Sequence, residues 1–458
     1  FARTIVEKAL DTEQGISGRD YLEKIIQVGF DIPAIEHNRI EKILLPQLDL
    51  IINSIDLKHW DQNRWGNLYH SGLGKLFKSI RDVKRFLNSL TFNIKLIADE
   101  VNPIDFIGLE ALRVFYPEIY KSIATNKELF IDPMMRSNNP NKLEEKRKLL
   151  DSIFLSKGTH EELAKNICLE LFPQLRSIYP GTLFGSWSGD YKSWRKDRRI
   201  CSEDIFDIYF VMGVPIAEVS QMELREVISL STEPDKLTNL FRKYLKEEKI
   251  GRLLDFLNDI LGDLTNDGIF GLCSSLIEIG DQLVDVRHGV FEMGADFQLH
   301  WLIFHALNKI ENQISRFNWF LEQISQSNSL YTVVQQVAWN LPSKEDPRFN
   351  SNFDEKQLEL LKEASVQKIE VYAQNGSLLK TRNFAEILRL WNEWAIDKDN
   401  FARFVDKTIS SPESAIDFVE GFVFEGFSHT FGDYASRKEL RFNFSSMSSL
   451  ADVNKLRE

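Results

Sequence analysis

Apolar and polar positions follow a helical period along most of this chain, and the clearest case runs from residue 81 to residue 97. One side of that helical wheel collects Val83, Phe86, Leu87, Leu90, Ile94 and Ile97. The other side collects Arg81, Lys84, Arg85, Asn88 and Lys95. The pattern predicts a helix that packs through one face and carries positive charge on the other. Such a face can bind an anion such as a nucleotide phosphate, or it can be an ordinary solvated face.

A short β-strand is predicted upstream of this helix. Ile25, Ile26, Val28 and Phe30 form an apolar run that is closed by Pro33. A helical stripe over residues 5–10 precedes a glycine-containing loop, and everything after the run has a helical period. This order is typical of the last piece of an α/β nucleotide-binding core that passes into a helical lid. The strand alone is not diagnostic, because any α/β protein contains such runs.

The rest of the chain predicts helices separated by polar breaks. The breaks fall at residues 132–141, 179–193 and 341–354. A charged helix is predicted from Lys142, and amphipathic helices are predicted over residues 253–261 and 301–314. No repeat of fixed period occurs, so the pattern favours an irregular multi-helix array over a regular solenoid.

Composition limits the class of protein. The 458 residues are 43% hydrophobic, enough for about three folded domains of ordinary size. The formal net charge of −12 disfavours general nucleic-acid coating. No uncharged apolar run is long enough to predict a membrane span. Three widely spaced cysteines, Cys168, Cys201 and Cys273, indicate a reducing compartment and inert buried thiols.

Two further groups of residues could carry chemistry. A basic and aromatic cluster comprises Tyr191, Lys192, Trp194, Arg195, Lys196, Arg198 and Arg199. It fits a nucleic-acid contact, the acidic surface of a neighbouring subunit, or an exposed loop. His300 and His305 are five residues apart and do not share a helical face as the pair in a zinc-protease helix does. We therefore expect ordinary core or partly buried histidines and no metal site.

Three consecutive blocks carry a family resemblance. They are GRDYLEKIIQVGFDIP at 18–33, RDVKRFLN at 81–88 and VNPIDFIGLEALRVFYPEIY at 101–120. Together they resemble the KAP family of P-loop NTPases, which is related to the AAA+ and STAND ATPases. Weaker islands follow at 198–210 and 441–444. The chain departs from the family pattern at Ala2, Gly29, Ser79 and Ile80, the last two standing where Thr and Pro precede the arginine.

The resemblance implies a fold class, and together with the polar breaks it predicts a division of the chain. It implies a mainly α protein with the remnant of an α/β P-loop core, one strand, followed by a helical lid and a large irregular multi-helix region. Residues 1–33 would end the core, and 34–137 would form the lid-like domain. Residues 138–340 would form a helical domain, and 341–458 a C-terminal helical domain.

The sequence lacks the phosphate-binding parts of such an ATPase. A glycine-rich loop that ends in Gly-Lys-Ser/Thr is missing, as is the acidic strand end that holds magnesium. The nearest decoy is GLGK at 72–75, but Tyr69 stands where the first loop glycine belongs and Leu76 replaces the metal-binding hydroxyl. Because the chain starts at Phe1 without a targeting segment, we expect the C-terminal part of a longer ATPase, with these elements upstream. ATP and Mg²⁺ would belong to the full-length protein, and neither is expected on this chain alone.

The resemblance also suggests roles for individual residues. Arg81 matches the second sensor of AAA+-like ATPases, an arginine on the lid helix that contacts the γ-phosphate, and Lys84 and Arg85 are near alternatives. Arg19 matches the region of the arginine finger, which reaches the nucleotide of a neighbouring subunit. The alternative for Arg19 is a loop residue that pairs with Asp20 or Glu23.

These roles predict a part that senses the ATP state and transmits it to partners, without catalysis of its own. The expected partners are the protein's own P-loop core, further copies in a homo-oligomer, and other proteins, but not nucleic acid. The expected place is the cytoplasm, with upstream segments able to hold the protein at the inner face of the membrane. Proteins that resemble this family occur in bacterial phage defence and in membrane signalling, and the sequence does not favour one of these contexts over the other. The second hypothesis is a helical scaffold that uses the cationic stripe for protein docking and never contacts nucleotide.

Overall fold

A computed structural model describes residues 8–9, 18–26, 36–55, 59–131, 140–156, 159–179, 191–215, 218–283, 294–342, 351–428 and 437–452. The chain divides into two compact units, residues 1–212 and 213–458. Their boundary lies inside the segment 138–340 that the sequence predicts as one helical domain. The finer division into four segments stays a prediction.

The described residues of the first unit form helices and one minimal hairpin. Its helices span Gly18–Ile25 (α1), His37–Ile52 (α2), Gln62–Ser71 (α3), Ile80–Ile97 (α4), Pro103–Phe115 (α5), Pro117–Thr125 (α6), Lys127–Ile131 (α7), Pro140–Phe154 (α8), Glu162–Leu171 (α9), Tyr191–Lys196 (α10), Glu203–Phe206 (α11) and Ile208–Val211 (α12). The strands Leu155–Ser156 (β1) and Thr159–His160 (β2) pair in antiparallel register. Helix α4 packs against α2 and α5, while α5 also packs against α6 and α9.

The second unit is also helical. Its helices span Gln221–Leu230 (α13), Pro234–Lys246 (α14), Ile250–Ile260 (α15), Asn266–Gly280 (α16), Ala295–Asn308 (α17), Gln313–Gln326 (α18), Tyr331–Ala338 (α19), Glu355–Gln374 (α20), Phe384–Trp394 (α21), Asp399–Ile409 (α22), Pro412–Glu420 (α23) and Phe444–Leu450 (α24). The strands Val423–Ser428 (β3) and Arg437–Phe442 (β4) form an antiparallel ribbon with Val423 opposite Phe442. The main packing pairs are α14 with α16, α15 with α17, and α18 with α20.

The mainly α class predicted from the sequence is confirmed, with β1–β2 and β3–β4 as the sheets of the described residues. The predicted strand at 25–30 is only partly described. Ile25 is the last residue of α1, and Ile25 and Ile26 are both exposed, so the run does not begin as a buried strand. Residues 27–30 lie outside the described residues.

The predicted helix over 301–314 is wrong at its C-terminal end. Helix α17 ends at Asn308, and α18 begins at Gln313. The side chain of Asn312 caps α18 by accepting a hydrogen bond from the amide of Ser315, which fixes a new helix start. Ile310 lies in the loop that joins the two helices, and it fits the apolar pattern because its side chain is buried. Ile314 is exposed.

Other sequence predictions agree with the structure. The apolar stripe of residues 253–261 is buried along α15 and the turn that follows it, and the charged helix predicted from Lys142 is α8. Cys168, Cys201 and Cys273 are free and buried. Burial raises the pKa of the Cys201 thiol to about 12, so it stays protonated and unreactive at neutral pH. Among the described helices, none is long and apolar enough to cross a membrane.

Candidate functional site

Helix α4 has the two faces that the sequence predicts. Its six apolar stripe residues, Val83 to Ile97, are all buried. Arg81, Lys84, Arg85, Asn88 and Lys95 are exposed. Within the described residues, the side chains of Arg81 and Lys84 form no hydrogen bond or ion pair. The cationic face therefore has charge available for an external anion.

The start of α4 is fixed by a capping arrangement. Ser79 is the N-cap and accepts a hydrogen bond from the amide of Asp82 at 3.2 Å, while its hydroxyl donates to the Asp82 carboxylate at 2.9 Å. The same carboxylate accepts from the amide of Lys78. The Thr-Pro of the family pattern would fall at the N-cap and first helical position, which favour those residue types. Ser79 supplies the cap here, so α4 begins at Ile80 and Arg81 lies in its first turn.

Arg85 differs from its two neighbours because it is bound to the end of α5. Its Nη2 donates to the carbonyl oxygen of Val114 at 2.9 Å, and its guanidinium lies over the ring of Phe115 at 5.4 Å. A cation at a helix C-terminus interacts favourably with the helix dipole and the free carbonyl groups there. Arg85 thus already has a structural role in holding α4 against α5.

A buried polar network joins the middles of the same two helices. Glu110 on α5 is buried and accepts hydrogen bonds from Arg113 at 2.6 and 2.8 Å and from Asn93 on α4 at 3.1 Å. Arg113 also donates to the hydroxyl of Ser89 on α4 at 2.7 Å. Its bond to Glu110 raises the pKa of Arg113, although burial acts in the opposite direction. The Glu110–Arg113 pair and its bonds to Asn93 and Ser89 fix the register of α4 on α5.

The N-terminus of α5 carries a second buried carboxylate, Asp105. Arg64 of α3 forms an ion pair with it, and Arg199 donates to it from Nε at 3.2 Å and from Nη2 at 3.4 Å. The amide of Ile200 completes the set at 3.1 Å. Burial opposes the charge of Arg199, but Asp105 outweighs that effect and raises its pKa. This cluster joins α3, α5 and the segment after α10.

Asn102 and Tyr209 extend this cluster. The Asn102 side chain caps α5 by accepting from the amides of Ile104 and Asp105, and its Nδ2 donates to two backbone carbonyl groups. The hydroxyl of Tyr209 donates to the carbonyl of Arg198 at 2.8 Å and accepts from the amide of Asn102 at 2.9 Å. The blocks 101–120 and 198–210, far apart in sequence, therefore pack together in one buried polar core.

The nucleic-acid contact considered for the cluster at 191–199 is wrong for three of its members. Arg198 is buried and pairs with Glu100 at 2.8 Å, and Arg199 is committed to Asp105. Trp194 is buried as well, and Arg195 lies 3.7 Å from Asp204. The paired cations neutralise internal carboxylates and are not available to a polyanion.

Arg19 lies on α1, a different helix from the cationic face. It is 69% exposed, and its Nε lies 3.3 Å from the carboxylate of Glu23 one turn later. The pairing with Glu23 named as the alternative therefore occurs, but on an exposed helix where such a pair contributes little. The finger role of Arg19 stays a prediction.

The GLGK decoy is not a phosphate loop. Residues Leu73–Leu76 form a 3₁₀ turn, and Gly72 and Gly74 are buried. A Cβ atom on Gly74 would lie 3.0 Å from the Tyr69 ring, so this glycine packs closely against that ring. No group of three acidic, histidine or cysteine side chains within the described ranges is arranged to hold a metal ion.

Sequence reasoning missed Asp105, Glu110 and their arginine partners. The available signal was the presence of two carboxylates inside the apolar stretch PIDFIGLEALRVF, because a buried carboxylate needs a charged partner. Asn102 followed by Pro103 also marks a helix start. The identities of Arg64 and Arg199 as partners could not be read from local sequence.

Comparison with known families gives one finding. Residues 2–97 of the 458 match the sequence profile of the KAP family P-loop domain. The resemblance predicted from the sequence is confirmed over this range, which includes α1, α2, α3 and α4. The blocks at 101–120, 198–210 and 441–444 lie outside the matched range. No curated protein and no solved structure matches the chain significantly.

Proposed function

We propose that this chain carries the helical lid of a KAP-type P-loop ATPase and that Arg81 on α4 senses the nucleotide of that ATPase. The observation that carries the proposal is an exposed guanidinium and an exposed ammonium group on a helix that falls within the matched range. The P-loop NTPase family uses a nucleoside triphosphate with Mg²⁺, and cleavage of the terminal phosphate would supply the change that a lid detects.

The position of Arg81 supports this role. A cation in the first turn of a helix is disfavoured by the helix dipole, so Arg81 does not serve helix stability. The side chain of Ser79 already caps the amide of Asp82, and the Asp82 carboxylate lies in the same turn, so the helix end itself is not a free anion site. The exposed guanidinium of Arg81 and the exposed ammonium group of Lys84 therefore supply the attraction for a phosphate group.

The contacts of Arg81, Lys84 and Arg85 support a ranking of these three residues as phosphate contacts. Arg85 is held by Val114 and Phe115, whereas Arg81 and Lys84 are exposed without such partners in the described chain. We assign the phosphate contact to Arg81 and a supporting contact to Lys84, and we assign Arg85 to the packing of α4.

The polar core supports a path for transmission. Asn93 and Ser89 bind α4 to Glu110 and Arg113, and α5 then reaches residues 198–209 through Asp105 and Asn102. Because these steps are hydrogen-bonded contacts that are buried or partly buried, we expect a tilt of α4 to move α5 as well. The lid would pass the nucleotide state to protein partners through this core.

The test uses the complete protein that contains this chain. Arg81→Ala should weaken ATP binding or slow ATP hydrolysis by at least about tenfold, in the range observed when a single phosphate-contacting arginine is lost. Lys84→Ala should have a smaller effect in the same direction. ATP affinity is measured by fluorescence titration, and hydrolysis by phosphate release.

The matched control is Lys95→Ala. Lys95 is also exposed on α4, but it lies about 21 Å farther along the helix axis than Arg81. Equal rates for the wild type, Arg81→Ala and Lys95→Ala would reject the sensor assignment. Equal losses in both variants would indicate a general charge effect instead of a specific contact.

A second function, protein docking without nucleotide contact, is favoured by one observation. Phe92 and Leu96, one turn apart on α4, are 72% and 57% exposed and flank Lys95. An apolar pair beside a cation on a helix is a common anchor for a protein partner. Loss of partner binding in Phe92→Asp, together with unchanged ATP affinity in Arg81→Ala, would support this scaffold function over the lid.

A further inference from the structure

His300 in the second unit lies in an unusual buried setting. It is on α17 with 1% of its surface exposed, and its Nδ1 lies 2.8 Å from Oε1 of Gln336 on α19. Its ring stacks on Trp339 at a centroid distance of 5.7 Å and meets the edge of Tyr331 at 6.0 Å. The imidazole is thus fixed between α17 and α19.

One ring nitrogen of His300 has no hydrogen bond. Because Oε1 of Gln336 accepts, Nδ1 carries the proton of the neutral ring, and Nε2 presents a lone pair. Nε2 is buried and without a hydrogen-bond partner, and it lies 3.8 Å from Oδ1 of Asp296, one turn earlier on α17. The neutral ring therefore leaves Nε2 facing a carboxylate with no proton between them.

Oδ1 of Asp296 also binds Arg382, which lies in the segment before α21. Nη1 of Arg382 lies 2.9 Å from Oδ1 of Asp296, and the Tyr331 hydroxyl donates to Oδ2 at 3.0 Å. Arg382 also donates to the carbonyl of Gly280 at the end of α16 and lies over the ring of Tyr331. These contacts attach the segment 381–383, which leads into α21, to α16, α17 and α19.

We propose that His300 is a proton-operated latch, in which protonation of Nε2 draws Asp296 away from Arg382 and releases the segment before α21. A proton at Nε2 gives the ring a donor aimed at Asp296 Oδ1. Two cations then compete for one oxygen of Asp296, whose side chain is partly buried. Arg382 is the partner that can leave, because its side chain is 16% exposed and next to solvent, whereas His300 is enclosed.

The surrounding charges set the direction of the response. Burial lowers the pKa of His300 and Arg382 lowers it further, while Asp296, Gln336 and Asp281 act to raise it. Asp281 is occupied by the hydroxyl of Thr332 and by backbone amides at the start of α19. On the neighbouring α15, Asp255 accepts from Gln298 and Arg252. The other titratable group at the ring is Tyr331, whose phenol stays protonated because burial raises its pKa.

The sign of the pH effect follows from these shifts. The pKa of folded His300 lies below the ordinary value of 6.5, so the unfolded or released form takes up the proton first. The latch is closed at neutral pH. As pH falls through and below the ordinary value, protonation favours release.

The test is hydrogen–deuterium exchange of the whole chain, followed on peptides covering residues 381–394. After correction for the intrinsic exchange rate, exchange should be slow near about pH 7.5 and should rise towards about pH 5.5 by up to about tenfold per pH unit, the limit for one proton. His300→Asn retains a donor towards Gln336 but cannot be charged, so its exchange should be slow at both values.

The matched control is His305→Asn, on the same helix but half-buried against Trp301, which should keep the wild-type response. If His300→Asn does not fold, Asp296→Asn gives the decision, because it removes the negative charge that both Arg382 and protonated His300 require, and it should exchange fast at both pH values. A wild-type rise that persists in either His300→Asn or Asp296→Asn would overturn the latch. So would a wild type whose exchange does not change with pH.

Discussion

At the scale of single residues, the role of a charged side chain depends on whether a partner has already taken it. Arg81 and Arg199 are both arginines in blocks that resemble the same family. Arg81 projects from α4 without an ion pair in the described chain, whereas Arg199 is enclosed with Asp105. The first can respond to a ligand, and the second can only hold the fold.

This difference gives a stability prediction for Asp105. Asp105→Asn should lower the free energy of unfolding of the first unit by about 3–5 kcal/mol, because it leaves the enclosed Arg199 without a counter-ion. The loss is measured by urea unfolding, with hydrogen exchange on peptides of α5 to identify the unit that opens.

Glu118→Gln is the control for Asp105→Asn. It removes an exposed carboxylate from α6 in the same unit and should change stability by less than about 0.5 kcal/mol. A loss for Asp105→Asn as small as that of the control would show that the ionic cluster contributes little to folding.

Single residues also show which features of the structure could be predicted from the sequence. The buried and exposed faces of α4 were predictable because both are written in a local helical period from Val83 to Ile97. The pairing of Arg199 with Asp105 was not, because the residues are 94 positions apart and a run of arginines is typical of an exposed surface. The local sequence indicates which face of a helix is apolar. Pairing between residues far apart in the sequence decides which charged side chains stay exposed.

At the scale of elements, α4 and α5 behave as one packed pair. Arg85 joins the start of α4 to the end of α5, and Glu110 joins their middles. Rings of Phe77, Phe86 and Phe115 meet at centroid distances of 5.2 to 6.5 Å beside the Arg85 contact. The pair therefore presents Arg81 from a rigid support.

The N-cap of α4 can be tested directly. Ser79→Ala should destabilise the first unit by about 1 kcal/mol, because the amide of Asp82 loses its side-chain acceptor and the Asp82 carboxylate loses the Ser79 hydroxyl. Ser79→Thr, which restores the family residue, should retain most of the stability. Thermal unfolding followed by circular dichroism measures both.

Asn88→Ala is the matched change within the same helix. Asn88 is exposed in the middle of α4, where alanine has the higher helix propensity, so this variant should be neutral or slightly stabilising. Equal destabilisation of Ser79→Ala and Asn88→Ala would mean that the cap has no specific effect.

Element boundaries were harder to predict than element faces. The apolar period continues through Ile310 although the backbone leaves the helix after Asn308, because a buried loop residue satisfies the same pattern. Ile25 shows the opposite error, since a β-branched run favoured a strand where the chain completes the last turn of α1. At Ile310 packing against residues distant in sequence explains the pattern, whereas Ile25 is exposed and its place in α1 follows from the helix that precedes it.

At the scale of the whole molecule, the chain is two compact helical units, and the match to the KAP family covers only part of the first. The second unit carries the His300 cluster and the β3–β4 ribbon, which no family match includes. The molecular function of the full protein therefore has to be tested in assemblies that contain both units.

Arg19 is best tested at this scale because the finger role requires a neighbouring subunit. In the complete protein, Arg19→Ala should abolish most ATP hydrolysis while ATP affinity stays close to the wild type, since a finger acts on the transition state. Mixing Arg19→Ala subunits with subunits that cannot bind ATP should restore hydrolysis, because the second kind supplies an intact Arg19 to the first.

Glu23→Ala is the control, because it removes the intrahelical partner of Arg19 but leaves the guanidinium in place. It should hydrolyse ATP at about the wild-type rate. Failure of the mixed subunits to recover activity would assign Arg19 to α1 alone.

The contact between Asp105 and Arg199 also has a consequence for the order of events during synthesis. The ribosome adds about 5–20 residues per second, so roughly 5–20 s separate the appearance of Asp105 from that of the arginine 94 positions later. During that interval α5 holds a carboxylate whose second counter-ion has not yet been made. The N-terminal end of α5 should therefore remain loosely held in the nascent chain, and become fixed only when Arg199 has been synthesised.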